Sequence, residues 1–105
     1  MTTHSTATPI NQSAANALAV LDVIMRHMVQ GLTVTEICQA TELTAPSVSR
    51  YVSTLERTGW AERIPETGRI RASVRVGQRA MTILNELDKT QGRISELRNR
   101  LTTTF

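Results

Sequence analysis

A chain of 105 residues has the length of one domain and can bury enough apolar surface to fold without a metal or a disulfide. Aromatic residues make up only 3% of the sequence, which predicts an aliphatic, mainly helical core and argues against an all-β fold. The net charge is +3, and eleven of the twelve basic residues are arginine, so the placement of the arginines matters more than their sum.

Several classes of site lack support in the sequence. The single cysteine, Cys38, lies on an apolar helix stripe, which predicts a buried small hydrophobe. His4 and His27 have no partner at metal-ligand or catalytic spacing, and no glycine-rich phosphate loop is visible. No apolar run is long enough to span a bilayer, and no secretion signal is visible. We therefore expect a cytoplasmic protein without enzymatic activity, metal or cofactor.

The N-terminal third predicts an arm followed by a helix. Residues 1–12 are rich in Ser and Thr and are expected to form a flexible arm. Asn11 or Ser13 can cap the first helix, and Gly31 is expected to end it as its C-cap. The apolar residues of this helix recur at steps of three and four: Ala17, Leu18, Leu21, Ile24, Met25 and Met28.

Two further helices follow, separated by a short turn. Thr33 and Glu36 form a capping-box pattern that predicts a second helix of about two turns. Thr44 is again a capping residue and Pro46 suits a first helical turn, so the third helix is predicted over residues 45–58. Its core positions are Val48, Tyr51, Val52 and Leu55.

A hairpin and a long helix complete the predicted architecture. Two short strands, 60–65 and 69–74, flank a turn in which Gly68 suits a positive φ, and they form the hairpin 61–74. The segment 77–105 carries an apolar heptad stripe that predicts a dimerisation helix, through Ile83, Leu87, Ile94, Leu97 and Leu101. The alternative is that this helix folds back over its own domain, with Gly92 as a bend.

These elements predict a winged helix-turn-helix, with a three-helix core, a wing and a long C-terminal helix. The fold class is thus mainly α with a small β-hairpin, and the winged domain is expected over residues 13–76. Such a fold places its third helix in the major groove of double-stranded DNA. The alternative is a protein–protein adaptor module without specific DNA binding, but the arginines of the hairpin favour DNA.

The exposed face of the third helix supplies the candidate contact residues. Arg50 can donate two parallel hydrogen bonds to guanine, and the short side chains of Ser47 and Ser49 allow a close approach, so these three are the base-reading candidates. Candidates for backbone contacts are Thr44, Ser53, Thr54 and Arg57. The wing candidates are Arg63, Thr67, Arg69 and Arg71.

Four segments within residues 17–76 carry a resemblance to a known family: 32–37 (LTVTEI), 43–55 (LTAPSVSRYVSTL), 59–63 (GWAER) and 65–71 (PETGRIR). They resemble the N-terminal DNA-binding domain of IclR-type transcriptional regulators, and MarR-type winged helices share part of the pattern. The resemblance implies a sequence-specific regulator that binds operator DNA as a homodimer. It also implies that Ser47, Ser49 and Arg50 face the groove.

The sequence departs from the IclR pattern in two places. Pro46 stands where the family usually has Ser, which removes one hydroxyl from the contact surface. About 30 residues follow the wing, and no small-molecule effector domain is visible in them. Control of DNA binding by a ligand is therefore not expected from the resemblance.

Overall fold

Four helices and one two-stranded sheet follow one another in the computed structural model, which describes residues 8–103. The elements, in chain order, are α1 (Gln12–Met25), α2 (Val34–Thr41), α3 (Ala45–Arg57), β1 (Ala61–Arg63), β2 (Ile70–Ala72) and α4 (Val74–Thr103). This order confirms the winged helix-turn-helix predicted from the sequence. Most of the predicted arm, with His4, lies outside the described residues, as does Phe105.

The start of α1 was predicted correctly but its end was not. The Oδ1 atom of Asn11 accepts a hydrogen bond from the backbone nitrogen of Ala14 at 3.0 Å, so Asn11 is the N-cap. The helix ends at Met25, six residues before Gly31, and tight turns fill the interval. Gly31 therefore is not the C-cap of α1.

Gly31 is required by a close backbone contact with the hairpin rather than by the end of α1. Its φ is +72°, and a Cβ atom added there would lie 2.8 Å from the carbonyl oxygen of Ile70. The next residue, Leu32, exchanges two backbone hydrogen bonds of 2.8 Å with Ile70. Gly31 thus lets the chain between α1 and α2 lie directly against the wing.

Both caps of the helix-turn-helix have the predicted geometry. The hydroxyl of Thr33 accepts from the backbone nitrogen of Glu36 at 3.1 Å, and the Glu36 carboxylate accepts from the backbone nitrogen of Thr33 at 2.9 Å. Thr44 caps α3, which ends at Arg57, one residue earlier than predicted. Between the two helices, Glu42 adopts a left-handed conformation with φ 61° and closes the turn.

The core of residues 8–73 is aliphatic, as the composition predicts, and it joins α1, α2, α3 and the wing. Its buried side chains are Val20, Val23, Ile24, Leu32, Ile37, Val48, Val52, Leu55, Ala61, Ile70 and Ala72. Cys38 is half-buried rather than fully buried. At the edge of this core, the Nδ2 atom of Asn16 donates to the Tyr51 hydroxyl at 3.3 Å and ties α1 to α3.

The wing is a short antiparallel hairpin. β1 and β2 pair in the register Ala61 with Ala72, Glu62 with Arg71 and Arg63 with Ile70. Its strands are shorter than predicted, because Ile64 and Arg69 already belong to the connecting turn and Val74 begins α4. Gly68 has φ +73° in that turn, as expected from its position.

The described residues form two compact units, 8–73 and 74–103, and α4 alone makes up the second. The helix runs without interruption through Gly92, so it is not broken at that residue. Every side chain from residue 78 to residue 103 is exposed. No helix within residues 8–103 has the length and apolar character needed to cross a membrane.

Candidate nucleic-acid interface

Three of the predicted contact residues form a connected row at the start of α3. The Thr44 hydroxyl donates to Oγ of Ser47 at 3.0 Å, and the Nη2 atom of Arg50 donates to the same oxygen at 3.4 Å. The spacing of three residues places them on one face of the helix, one turn apart. The structure therefore brings together Thr44, Ser47 and Arg50.

The remaining candidates on α3 extend this face towards its C-terminus. Ser49, Arg50, Thr54 and Arg57 are exposed and Ser53 is half-buried, whereas the core residues of α3 lie on the opposite side. The Thr54 hydroxyl donates to the carbonyl oxygen of Arg50 at 3.1 Å, so its proton is engaged by the helix and its lone pairs remain to accept. The exposed surface of α3 is thus polar and carries two cations.

The two arginines of α3 differ from those of the wing in their electrostatic environment. Neither Arg50 nor Arg57 forms an ion pair with any carboxylate in the described part of the chain. A cation without a neighbouring carboxylate keeps its full attraction for a phosphate or a guanine edge. The positive potential of the site is therefore concentrated on α3.

Arg69 anchors the wing to the helix-turn-helix. Its Nη2 atom lies 2.6 Å from Oε1 of Glu36, and its Nε donates to the carbonyl oxygen of Gly31 at 3.3 Å. The pKa of Glu36 is held below its ordinary value of 4.5, mainly by the hydrogen bond with the Thr33 backbone; burial opposes this, and the Arg69 charge adds a smaller lowering effect. Glu36 is thus both a capping residue and the partner of Arg69.

The other two wing arginines are also paired with carboxylates. The Nε atom of Arg71 lies 2.8 Å from Oε2 of Glu62 across the hairpin, and that of Arg63 lies 3.4 Å from Oε2 of Glu56 on α3. Thr67 lies at the exposed tip, where its hydroxyl accepts from the backbone nitrogen of Arg69 at 3.2 Å. In this conformation the arginines of the wing have their charge compensated.

These carboxylate partners were missed in the sequence. The pairing of Glu62 with Arg71 can be predicted from the hairpin register, because side chains that face each other across two strands are close enough to interact. Glu36 was recognised only as a cap, and its contact with Arg69 spans 33 positions along the chain. No local pattern indicates a contact of that kind.

The predicted dimerisation residues form an exposed stripe on α4. Ile83, Leu87, Ile94, Leu97 and Leu101 are each between 53% and 65% exposed. Exposed apolar side chains repeated along one helix are typical of a surface that is covered by another chain. The described residues include no group of His, Cys, Asp and Glu arranged to hold a metal ion.

A two-helix unit with a tight turn, followed by a β-hairpin packed beside it, defines the winged helix-turn-helix class of DNA-binding proteins. The IclR helix-turn-helix domain family matches residues 13–65. The chain belongs to this family, and residues 8–73 contain the DNA-binding domain of an IclR-type transcriptional regulator.

Individual relatives agree with this assignment. The chain is 27% identical over 95 residues to the HTH-type transcriptional regulator XynR of Escherichia coli strain K12. The match covers 88% of this chain and 37% of XynR. The crystal structure of HmgR from Pseudomonas aeruginosa matches with a TM-score of 0.64 and 18% identity, over 87% of this chain and 38% of HmgR.

An IclR family transcriptional regulator from Brucella abortus matches with a TM-score of 0.57 and 23% identity, over 80% of this chain and 33% of its own. The two structural matches show the same fold. This chain spans between one third and two fifths of the length of these relatives. None of the matches favours the adaptor alternative.

Proposed function

We propose that this protein binds a specific double-stranded DNA sequence as a homodimer, with α3 in the major groove and the hairpin as its wing. The observation that carries the proposal is the exposed polar face of α3, where Arg50 has no carboxylate partner in the described chain and is hydrogen-bonded to Ser47. A DNA ligand also favours a cytoplasmic location. The proposal involves binding alone and no catalytic step.

Base recognition is assigned to the N-terminal half of α3. Arg50 donates from its guanidinium to O6 and N7 of a guanine, the pair of acceptors that its planar fork fits best. Ser47 supports this geometry because its Oγ already accepts from Nη2 of Arg50. Ser49 is exposed and short, which lets the helix approach the base edges closely.

Contacts to the phosphate backbone are assigned to the ends of the same face. Thr44 lies at the N-cap, where the helix dipole attracts a phosphate, and Arg57 lies in the last turn of α3. Ser53 and Thr54 lie between them and offer hydroxyl oxygens to the backbone. These contacts fix the register of α3 on the duplex and add affinity that depends on salt.

The wing is assigned a supporting role on the neighbouring groove or phosphate run. Thr67 at its exposed tip can approach DNA without breaking an ion pair. Arg63 is exposed and Arg69 and Arg71 are partly exposed, and each must share or exchange a carboxylate partner in order to reach a phosphate. The wing therefore contributes less affinity than its number of arginines indicates.

The homodimer is assigned to the apolar stripe of α4. The stripe from Ala80 to Leu101 has a length of about 33 Å at ~1.5 Å per residue, and its large side chains are more than half exposed. Burying it against a second copy removes apolar surface from water. A two-fold dimer suits DNA recognition, because two α3 helices about 34 Å apart can read the two halves of a palindrome.

The test is a selection from a pool of random duplex DNA by the full chain, at two salt concentrations, with sedimentation of the free protein. We expect a palindromic site that wild type and Arg26→Ala both enrich and that Arg50→Ala does not. Arg26→Ala is the matched control, because it removes one positive charge from the C-cap of α1, far along the chain from α3. Binding without any enriched sequence, or equal loss in both variants, would overturn the proposal.

A further inference from the structure

The charges beside the apolar stripe of α4 are unevenly distributed. In the heptad register that has Leu87 and Ile94 at the first core position, the residues that flank the stripe on one side are Arg79, Glu86, Arg93 and Arg100. The residues that flank it on the other side are Leu84, Gln91 and Arg98. These flanking residues meet the second helix in a two-stranded pair, so they decide its direction.

A parallel pair has an unfavourable charge pattern. Each flanking residue then meets the residue five positions later on the other helix, so Arg93 faces Arg98 of the second copy, and this contact occurs twice. Neither arginine has an ion-pair partner among residues 8–103 that could compensate the repulsion. Glu86 faces the uncharged Gln91 and gains nothing.

An antiparallel pair centred between Asp88 and Lys89 reverses this balance. Glu86 then faces Arg93 of the second copy, and the two-fold axis makes this ion pair occur twice. Arg79 faces Arg100 near the ends of the pair, but Arg100 already has Glu96 at 2.9 Å within its own helix. The central contacts are thus attractive, and the like charges meet only where a carboxylate lies beside them.

The apolar layers fit the antiparallel arrangement as well. Its layers combine Ala80 with Leu97, Ile83 with Ile94 and Leu87 with Thr90 of the second copy, and each occurs twice. Each layer contains at least one large apolar side chain. In a parallel pair, Ala80 instead packs against Ala80 of the second copy, which leaves that layer underfilled. Thr90 packs against Thr90, which places two hydroxyl groups in one core layer.

We infer that two copies of this chain pair through antiparallel α4 helices, with Glu86 and Arg93 as reciprocal ion pairs. The inference rests on the homodimer proposed above and adds its direction and register. It assigns to Glu86 and Arg93 a role in choosing the partner's orientation, in addition to the burial of the stripe. It also makes the two-fold axis cross α4 at its middle.

Distances between identical labels distinguish the two directions. In the antiparallel register, residue 78 lies opposite residue 99 of the second copy, and both lie on the outer side of the helix pair, away from the stripe. Labels at 78 in two copies are then separated along the axis by 21 residues of helix, since 99 − 78 = 21, or about 32 Å. Because the labels lie on opposite outer faces, about 20 Å apart across the pair, the expected distance is about 38 Å in the antiparallel register and about 20 Å in a parallel pair.

The experiment uses the full chain with Cys38→Ser and a nitroxide label on Gln78→Cys or, separately, on Asn99→Cys. Electron–electron distance measurements should give about 38 Å for both labels. Short distances for both labels would overturn the antiparallel inference and leave the homodimer standing. A monomer in sedimentation at all concentrations would overturn both.

Charge reversal tests the ion pair without altering Cys38. Arg93→Glu should weaken the dimer about tenfold, because two attractive pairs become repulsive, and the double variant Glu86→Arg with Arg93→Glu should restore it. Lys89→Glu is the matched control, since it changes the net charge equally from outside the flanking positions. A tighter dimer with Arg93→Glu would overturn the inference, because that is the result expected of a parallel pair.

Discussion

The guanidinium of Arg69 lies 2.6 Å from the carboxylate of Glu36, and this contact joins the wing to the first turn of α2. Glu36 also closes the capping box with Thr33, so one carboxylate holds the start of α2 and the base of the wing together. The backbone bridge between Leu32 and Ile70 lies beside it. The wing and the helix-turn-helix are therefore positioned by the same few residues.

Glu36→Gln should make the stability of the domain less dependent on acid pH. The folded pKa of Glu36 is lowered below 4.5, so its charge contributes stability that is complete above about pH 4.5 and is lost as the pH falls through the lower folded value. Denaturant unfolding at pH 7 should find wild type more stable than the variant, and the difference should shrink at about pH 4 and below. In an Arg69→Gln background the shrinkage should be smaller. A difference that is constant with pH would contradict this account of Glu36.

Gly31→Ala should destabilise the domain by about 2 kcal/mol, because a Cβ atom there meets the carbonyl oxygen of Ile70 and φ is positive. Gly77→Ala is the matched control: its Cβ atom meets nothing within 4 Å and it lies in a helix, so stability should stay equal or rise by about 0.5 kcal/mol. Thermal unfolding of both variants measures the contrast. Equal effects would show that the contact of Gly31 with the wing has no energetic weight.

These residues also show how far the sequence predicts the structure. The caps at Asn11, Thr33 and Thr44 follow from patterns within a few residues, and the structure confirms them. Of the core positions predicted for α3, Val48, Val52 and Leu55 are buried and Tyr51 is half-buried. The end of α1 was wrong because Gly31 serves a contact with Ile70, far along the chain. Contacts of that range depend on tertiary packing, which local propensity does not contain.

The candidate site divides in the same way. The polar face of α3 was visible in the helical spacing of its serines and arginines, and its exposure agrees with that spacing. The arginines of the wing were also visible, but their carboxylate partners lie on β1, α2 and α3. Only the folded structure shows that the wing arginines are paired with carboxylates, whereas Arg50 and Arg57 have no carboxylate partner in the described chain.

Glu62→Gln should strengthen the contribution of the wing to DNA binding. The substitution releases Arg71 from a pair of 2.8 Å, so the guanidinium can reach a phosphate and the slope of log affinity against log salt should steepen by up to about 0.9. Asp88→Asn is the control, because it adds the same net charge on α4. Titrations at several salt concentrations measure the slopes, and identical slopes in the two variants would remove the wing from the DNA interface.

Arg57→Ala should weaken DNA binding to all sequences by a similar factor. Its exposed cation in the last turn of α3 is assigned to a phosphate, so its loss should reduce the salt slope by about 0.9 without changing the preferred site. Arg26→Ala should leave the slope unchanged. A changed base preference in Arg57→Ala would instead place that residue on a base edge.

The most direct test of base recognition is a cycle that combines Arg50→Ala with 7-deazaguanine at each guanine of the selected site in turn. Replacing N7 removes one of the two acceptors assigned to the Arg50 guanidinium. For one guanine in each half-site, wild type should lose about 1–3 kcal/mol of binding free energy and Arg50→Ala should lose almost none, which gives a clear coupling energy. Equal losses in wild type and variant at every guanine would contradict the claim that α3 reads the major groove through Arg50.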